Sequence, residues 1–174
     1  MTLVRNIKDA LTQIFGKDYN YYMNNPSNVK EIDLEVFVFE EEVKDLDLLS
    51  AFTNLNYLNI SGTCVNDISS IIFLKNLEIL YADFCKVTDI SFVSHLKNLK
   101  EFDLSSPMDY INTLEPLRGL NKLEKLYVPD HPITTLEPIY NLDCLKILSI
   151  EGTEVLENEV EIFKKMQPYC EVWT

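Results

Sequence analysis

The sequence predicts an α/β solenoid: a curved horseshoe of stacked units with a parallel sheet on its concave side and a helical cap at each end. Three observations predict this fold. An apolar pattern recurs every 22 to 24 residues, a second apolar set recurs in phase with it, and amphipathic segments flank the array. The length of 174 residues suits a single domain.

A short strand opens each repeating unit. Its pattern is LxxLxL, in which the apolar residues alternate toward one face, as Leu55, Leu58 and Ile60 do. The first leucine of the pattern recurs after 22, 22, 24 and 22 residues, and the longer step comes from two additional residues in the loop 105–110. The recurring leucines are Leu55, Leu77, Leu99, Leu123 and Leu145. This regular phase predicts neighbouring parallel strands.

A return segment follows each strand and carries its own apolar set. The residues that open it are Ile68, Ile90, Leu114 and Leu136, and those that close it are Leu74, Leu96, Leu120 and Leu142. No unit can bury these side chains alone, whereas stacked units can. Burial contributes about 1.5–3 kcal/mol for each fully buried aliphatic side chain, so stacking is expected to stabilise the array.

The N-terminal segment is predicted to cap the array. Apolar residues recur at helical spacing over residues 3–15, which predicts an amphipathic capping helix. They are Leu3, Ile7, Leu11, Ile14 and Phe15. A degenerate first repeat follows, with Ile32 and Leu34 on its strand. Its insertion 35–42 (EVFVFEEE) is interpreted as a candidate extension of the edge strand, either as a binding edge or without a role in binding.

The C-terminal segment is predicted to form the second cap. Val160, Phe163 and Met166 have helical spacing, Pro168 then ends the helix, and a short tail ends near Trp173. We therefore divide the chain into an N-terminal capping helix and linker (1–28), one degenerate and five regular repeats (29–155) and a C-terminal cap (156–174). With a cap at each end, we expect a complete array.

The repeats resemble a known family. The segments LNYLNISGTCVNDISSIIFLKN, LEILYADFCKVTDISFVSHLKN and LEKLYVPDHPITTLEPIYNLDC are similar to the 22-residue leucine-rich repeats of bacterial internalin-like proteins. The resemblance covers residues 29–155 and implies a leucine-rich-repeat horseshoe. Members of the family usually carry Asn at a loop position where its side chain binds loop backbone. Here that position is occupied by Thr63, Cys85, His131 and Thr153.

Residues between the strand leucines are predicted to face the concave surface, on strands about 4.8 Å apart. Tyrosines there offer large contact areas for a protein partner, and carboxylates can pair with its Lys or Arg side chains. The predicted partner-binding residues are Tyr57, Asn59, Ile79, Tyr81, Asp83, Glu101, Asp103, Lys125, Tyr127 and Glu151. The alternative is that this face only keeps the protein soluble, and Ile79 and Ile147 count against it.

No catalytic, metal or cofactor site is predicted. Neither His95 nor His131 has a nucleophile or carboxylate at a diagnostic spacing, and no glycine-rich phosphate loop occurs. His131 is expected to hydrogen-bond to loop backbone, and Cys85 is expected to pack inward. The carboxylates of Asp83 and Asp103 are the candidate pair for calcium binding or acid–base catalysis. On an open face their pKa values should stay near normal, which suits neither task.

The charge balance bears on partners. With 28 acidic and 15 basic residues, the net charge of −13 disfavours nucleic acids and anionic membranes. It favours a protein partner with a basic surface, although the charge could also serve solubility alone. The first residues, MTLVRNIKDALTQIFG, lack the apolar core of a secretory signal, and the four cysteines form no close pair. We therefore expect a cytoplasmic monomer, unless a leader peptide precedes this sequence.

The sequence thus predicts a bacterial, non-enzymatic protein-interaction module that binds its partner on an acidic, tyrosine-bearing concave face. One specific form of this hypothesis is an inhibitor or immunity protein for a basic partner. A secreted or surface adhesin of internalin type and a structural scaffold are the alternatives. An enzyme such as a ubiquitin ligase would need a separate domain, for which the sequence shows no sign.

Overall fold

Seven parallel strands of three residues each form one sheet in the computed structural model, which describes residues 2–4, 6–35, 37–39, 43 and 46–174. The strands in chain order are β1 (Thr2–Val4), β2 (Glu31–Asp33), β3 (Phe37–Phe39), β4 (Tyr57–Asn59), β5 (Ile79–Tyr81), β6 (Glu101–Asp103), β7 (Lys125–Tyr127), β8 (Ile147–Ser149) and β9 (Glu171–Trp173). The main sheet has the order β2-β4-β5-β6-β7-β8-β9. This confirms the predicted leucine-rich-repeat solenoid.

The strands pair in the register that the repeat predicts. Leu58 pairs with Leu80, and Leu80 pairs with Phe102, so equivalent residues of successive repeats stand side by side. The central residue is buried in β2, β4, β5, β6, β7 and β8 and partly buried in β9, whereas most of the flanking residues of these strands are only partly buried. The sheet is therefore held by a ladder of backbone hydrogen bonds above a continuous apolar core.

The return segments consist of short 3-10 turns rather than α-helices. They are Asp47–Ala51, Ser69–Phe73, Ser91–His95, Glu115–Leu117 and Glu137–Ile139. The last two contain Pro116 and Pro138 in their first turn, where a missing N–H costs no hydrogen bond. The leucines that close the segments, such as Leu74 and Leu96, are fully buried, as the apolar pattern predicts.

The N-terminal helix is shorter than predicted. Helix α1 covers Ile7–Phe15 because the side chain of Asn6 caps it, accepting a 3.0 Å hydrogen bond from the Asp9 N–H. The prediction that the helix begins at Leu3 is wrong, since this residue belongs to β1. Ile14 is exposed, while Phe15 packs 5.9 Å from the Phe52 ring. A second helix, α2 (Tyr19–Asn24), follows.

The insertion 35–42 does not lengthen the edge strand over its described residues. Strand β3 instead pairs in parallel with β1 in a separate two-stranded sheet. Residues 36 and 40–42 of the insertion lie outside the described part of the chain. The N-terminal cap is therefore attached to the first repeat through backbone pairing as well as through α1.

The C-terminal cap contains helix α3 (Glu157–Met166), as predicted, with Val160 and Phe163 buried. Met166, the third apolar residue at this helical spacing, is exposed. The tail after Pro168 was not predicted to be a strand, yet β9 continues the sheet beside β8. Within the described residues, no helix is long and apolar enough to cross a membrane.

Candidate protein-binding face

The first and third residues of the seven strands form what we call the concave face. In the pairing register, the first residues form one row and the third residues form a second. The first row reads Glu31, Tyr57, Ile79, Glu101, Lys125, Ile147 and Glu171, and the second reads Asp33, Asn59, Tyr81, Asp103, Tyr127, Ser149 and Trp173. Eight of the ten predicted partner-binding residues belong to these rows. Asp83 and Glu151 lie in the loops directly after the strands.

A polar chain connects three strands at the centre of this face. The Tyr81 hydroxyl donates a 2.7 Å hydrogen bond to Oε1 of Glu101, and Oε2 of Glu101 lies 2.9 Å from Nζ of Lys125. Burial, together with the adjacent Glu101 carboxylate, raises the pKa of Tyr81. Tyr57 packs edge-on against Tyr81, with 5.8 Å between the ring centroids. These side chains hold one another in place, which reduces the entropy they would lose on binding.

Asn59 is less accessible than predicted, with only 2% of its surface exposed. Its side-chain amide donates a 2.8 Å hydrogen bond to Glu35, and its carbonyl oxygen accepts one from the Ser61 N–H. The side chain therefore organises the end of β4 and the following loop. In the unbound protein it offers almost no contact area to a partner.

Asp83 has an environment that the open-face argument did not predict. Its Oδ1 atom is buried, and no donor from the described residues reaches it. Burial raises the pKa of the Asp83 carboxyl, and the negative charges of Asp103 and Glu35 raise it further. The expectation of a normal pKa is thus wrong for Asp83, because its carboxyl group is partly removed from water and because parallel stacking brings carboxylates of successive repeats together.

The C-terminal end of the face contains an aromatic pair that the sequence analysis missed. The rings of Tyr127 and Trp173 lie 6.0 Å apart, and the Trp173 indole N–H donates to a carboxylate oxygen of Glu171 at 2.9 Å. The available signal was the tail sequence EVW, in which Glu171 and Trp173 flank Val172 as Lys125 and Tyr127 flank Leu126. An exposed Trp beside a Tyr is typical of side chains that anchor protein interfaces.

The loops that follow the strands form a rim beside this face. Phe84, Met108 and Tyr110 lie there with large exposed areas, and together with Ser106, Pro107 and Asp130 they line a cavity of about 580 Å³. His131 is buried below the rim. Its Nδ1 accepts from the Ile111 N–H at 3.3 Å and its Nε2 lies 3.1 Å from the Leu104 carbonyl, which confirms its expected bond to backbone.

Nothing in the described residues is arranged for metal binding: no three His, Cys, Asp or Glu side chains converge on a common point. His95 is exposed, and its Nδ1 atom lies 3.2 Å from the hydroxyl of its neighbour Ser94. Cys85 packs inward as predicted, and burial raises its thiol pKa to about 11. A thiol with such a raised pKa is a poor nucleophile at neutral pH.

Comparisons with known proteins identify the fold. The internalin InlF of Listeria monocytogenes superposes with a TM-score of 0.79 at 18% identity, over 98% of this chain and 44% of its own. Internalin C2 of the same organism gives 0.76 at 20% identity, over 98% of this chain and 76% of its own. A leucine-rich-repeat protein of Leptospira interrogans, LIC12759, gives 0.72 at 23% identity, over 85% and 38%.

The chain therefore spans less than half the length of the InlF and Leptospira structures. No protein-family model matches the sequence, and no curated protein matches it either. The structural likeness extends over nearly the whole chain, so the chain is a leucine-rich-repeat protein with the architecture of Listeria internalins. Repeat solenoids in general form extended concave surfaces that serve for binding.

Proposed function

We propose that this protein binds a protein partner with a basic surface on its concave face. The observation that carries the proposal is the row of aromatic and acidic side chains across the in-register strands, with Tyr57 packed on Tyr81 at one end and Tyr127 beside Trp173 at the other. Aromatic side chains of this kind, already held by neighbours, supply contact area at low entropic cost.

The charge of the partner follows from the charge of the face. Asp33, Asp83, Asp103 and Glu151 stand on it or at its edge, and the whole chain carries a net charge of −13. Lys125 is the one described cation in the two rows, and it is paired with Glu101 at 2.9 Å. A basic partner would gain charge pairs and rapid association, whereas an acidic partner would be repelled.

Inhibition of a basic protein is the more specific form of this proposal. A concave, acidic surface can cover a basic active or binding site, as an immunity protein or an inhibitor does. Covering a basic site of the partner is the specific activity that the paired aromatic rings and the acidic side chains of the concave face support best.

The test is affinity capture from a lysate of the native organism, read by mass spectrometry, with the wild type and the variant Tyr81→Ala/Asp103→Ala/Tyr127→Ala. A control, Asp18→Ala/Phe73→Ala/Tyr169→Ala, removes a similar set of exposed side chains away from this face. We expect a basic protein that the wild type and the control retain and the concave variant loses. Identical retention by all three would reject the concave face as the binding surface.

A further inference from the structure

One position in each regular repeat adopts a left-handed backbone. It comes three residues after the end of the strand, and the residues are Gly62, Phe84, Ser106, Asp130 and Gly152, with φ of 73°, 54°, 47°, 62° and 69°. Gly adopts this conformation freely, and small polar residues tolerate it. A bulky side chain there is an outlier that costs about 1–2 kcal/mol relative to Gly. Phe84 therefore occupies the position at a cost to folding.

Burial of the Phe84 side chain does not offset that cost, since 53% of its surface is exposed. Its neighbours in the rim cavity, Met108 and Tyr110, are 48% and 57% exposed. Contiguous exposed apolar side chains surrounded by polar groups are typical of interaction sites. Because the strained backbone of Phe84 holds an exposed ring at the rim cavity, this side chain points to a role in binding rather than in folding.

The cavity is a built feature of the longest repeat. Ser106, Pro107, Met108 and Tyr110 of the enlarged loop line it, and the Met108 N–H donates to the Cys85 carbonyl of the preceding repeat at 3.3 Å. On the other side, the Tyr110 ring packs edge-on against buried His131, with centroids 6.2 Å apart. The loop is therefore attached to both neighbouring repeats, and the cavity of about 580 Å³ is present before any partner binds.

The charges at the cavity specify what can enter. Asp130 is one of its lining residues, and the lining contains no Lys or Arg. Ser106 also lines it and acts on the carboxyl group of Asp83 by lowering its pKa, while Oδ1 of Asp83 has no donor from the described residues. An apolar wall with two carboxylates beside it favours a side chain that is apolar and stands next to a cation.

We propose that this rim pocket receives a large apolar side chain of the partner protein, adjacent to a Lys or Arg that pairs with Asp83 and Asp130. The inference rests on the proposed function and deepens it, because it adds a specificity pocket to the concave face. Phe84 and Met108 form the apolar contact, in which the flexible Met side chain adapts to the shape of the incoming group. The concave face then supplies the larger contact area.

The test uses a phage library of random 12-residue peptides selected on the full chain. We expect enriched peptides that carry a large apolar residue next to Lys or Arg. The consensus peptide, made synthetically, should bind Phe84→Gly about tenfold or more weakly than the wild type, in line with loss of an aromatic anchor. Phe84→Gly suits a left-handed position, so this variant is expected to fold normally.

Two further variants make the result specific. Phe73→Ser removes a ring that is 58% exposed on a return segment, and it should bind the peptide as the wild type does. Asp83→Asn/Asp130→Asn should weaken binding of the peptide and reduce its dependence on salt. No enrichment, a consensus without the apolar and basic pair, or equal binding to Phe84→Gly would overturn the proposal.

Two measurements distinguish a different occupant of the rim pocket from a failure of the proposed function. If the wild type dimerises on a sizing column and Phe84→Gly does not, a second copy of the chain fills the pocket and the proposal is wrong. If the peptide is lost by Tyr81→Ala/Tyr127→Ala but kept by Phe84→Gly, the rim pocket fails while the concave face stands. Loss with Phe84→Gly but not with the tyrosine variant supports the pocket as the peptide site, and the capture experiment with the concave variant then tests the concave face separately.

Discussion

At the loop position where the resembled family usually carries Asn, different side chains make the contacts to loop backbone. Thr63 donates a 2.7 Å hydrogen bond to the Ile60 carbonyl, Thr153 does the same with Ile150, and Cys85 lies 3.3 Å from the Ile60 carbonyl. His131 reaches further and bridges two loop segments through its two ring nitrogens. The backbone groups of the loops are thus satisfied without the Asn typical of the resembled family.

The buried ring of His131 is expected to make the stability of the fold depend on pH. Burial lowers its pKa, so the folded protein keeps the ring neutral while the unfolded chain takes up a proton near the ordinary value of about 6.5. Between the two pKa values the unfolded state binds more protons, and the free energy of unfolding therefore falls as the pH drops below about 6.5. The stabilising contribution is fully present above that pH and is lost on acidification.

The measurement is urea unfolding at pH 7 and pH 5. The decrease in the free energy of unfolding between these pH values should be smaller for His131→Asn than for the wild type. His95→Asn, which alters an exposed histidine, should keep the wild-type decrease. An unchanged decrease in His131→Asn would mean that other groups cause the acid sensitivity.

At the scale of elements, each strand of the main sheet has one position that faces the core and two that face the concave side, so neighbouring residues have opposite roles. Leu126 at the centre of β7 is fully buried, while Tyr127 beside it is only partly buried on the concave face. The same alternation in β9 places Trp173 on the face, although the sequence analysis predicted only a tail there. A three-residue strand was too short to recognise without its partner strand.

This alternation predicts unequal effects of substitution within one strand. Leu126→Ala should lower the free energy of unfolding by about 2–5 kcal/mol, because it removes a fully buried side chain and leaves a cavity. Tyr127→Ala should shift the melting temperature by a few degrees at most, about 1 kcal/mol or less. Urea and thermal unfolding of the two variants test this, and a larger loss for Tyr127→Ala would mean that the two faces of the strand are assigned the wrong way round.

At the scale of the whole molecule, stability depends on short-range contacts, whereas the net charge acts over longer distances. Stability comes from contacts between adjacent repeats, which extend from the cap at α1 to the cap at α3 as one continuous core. Acidic residues outnumber basic ones by 28 to 15, and the resulting negative charge acts over longer distances than any single contact. The repeats therefore determine the shape of the surface, and the net charge favours one class of partner.

The charge predicts that binding of the captured partner depends on salt. Raising the salt concentration from about 50 mM to about 500 mM shortens the Debye length from more than about 10 Å to a few Å, which screens attraction between exposed charges. The dissociation constant, measured by calorimetry, should rise about tenfold or more, and association should slow more than dissociation accelerates. An affinity independent of salt would contradict a basic partner and the inhibitor proposal.

The sequence by itself determined the repeat phase, the in-register strands and the outward positions of residues such as Tyr81 and Tyr127. It could do so because one period governs both apolar spacing and strand pairing. Only the tertiary structure decided that Asn59 is buried, that the pKa of Asp83 is raised, that Trp173 joins the concave face and that Phe84 lines a cavity with loop 105–110. Each of these features depends on groups roughly one repeat away. The repeat pattern of the sequence does not tell how far those neighbouring groups exclude water from a side chain or which charges they place beside it.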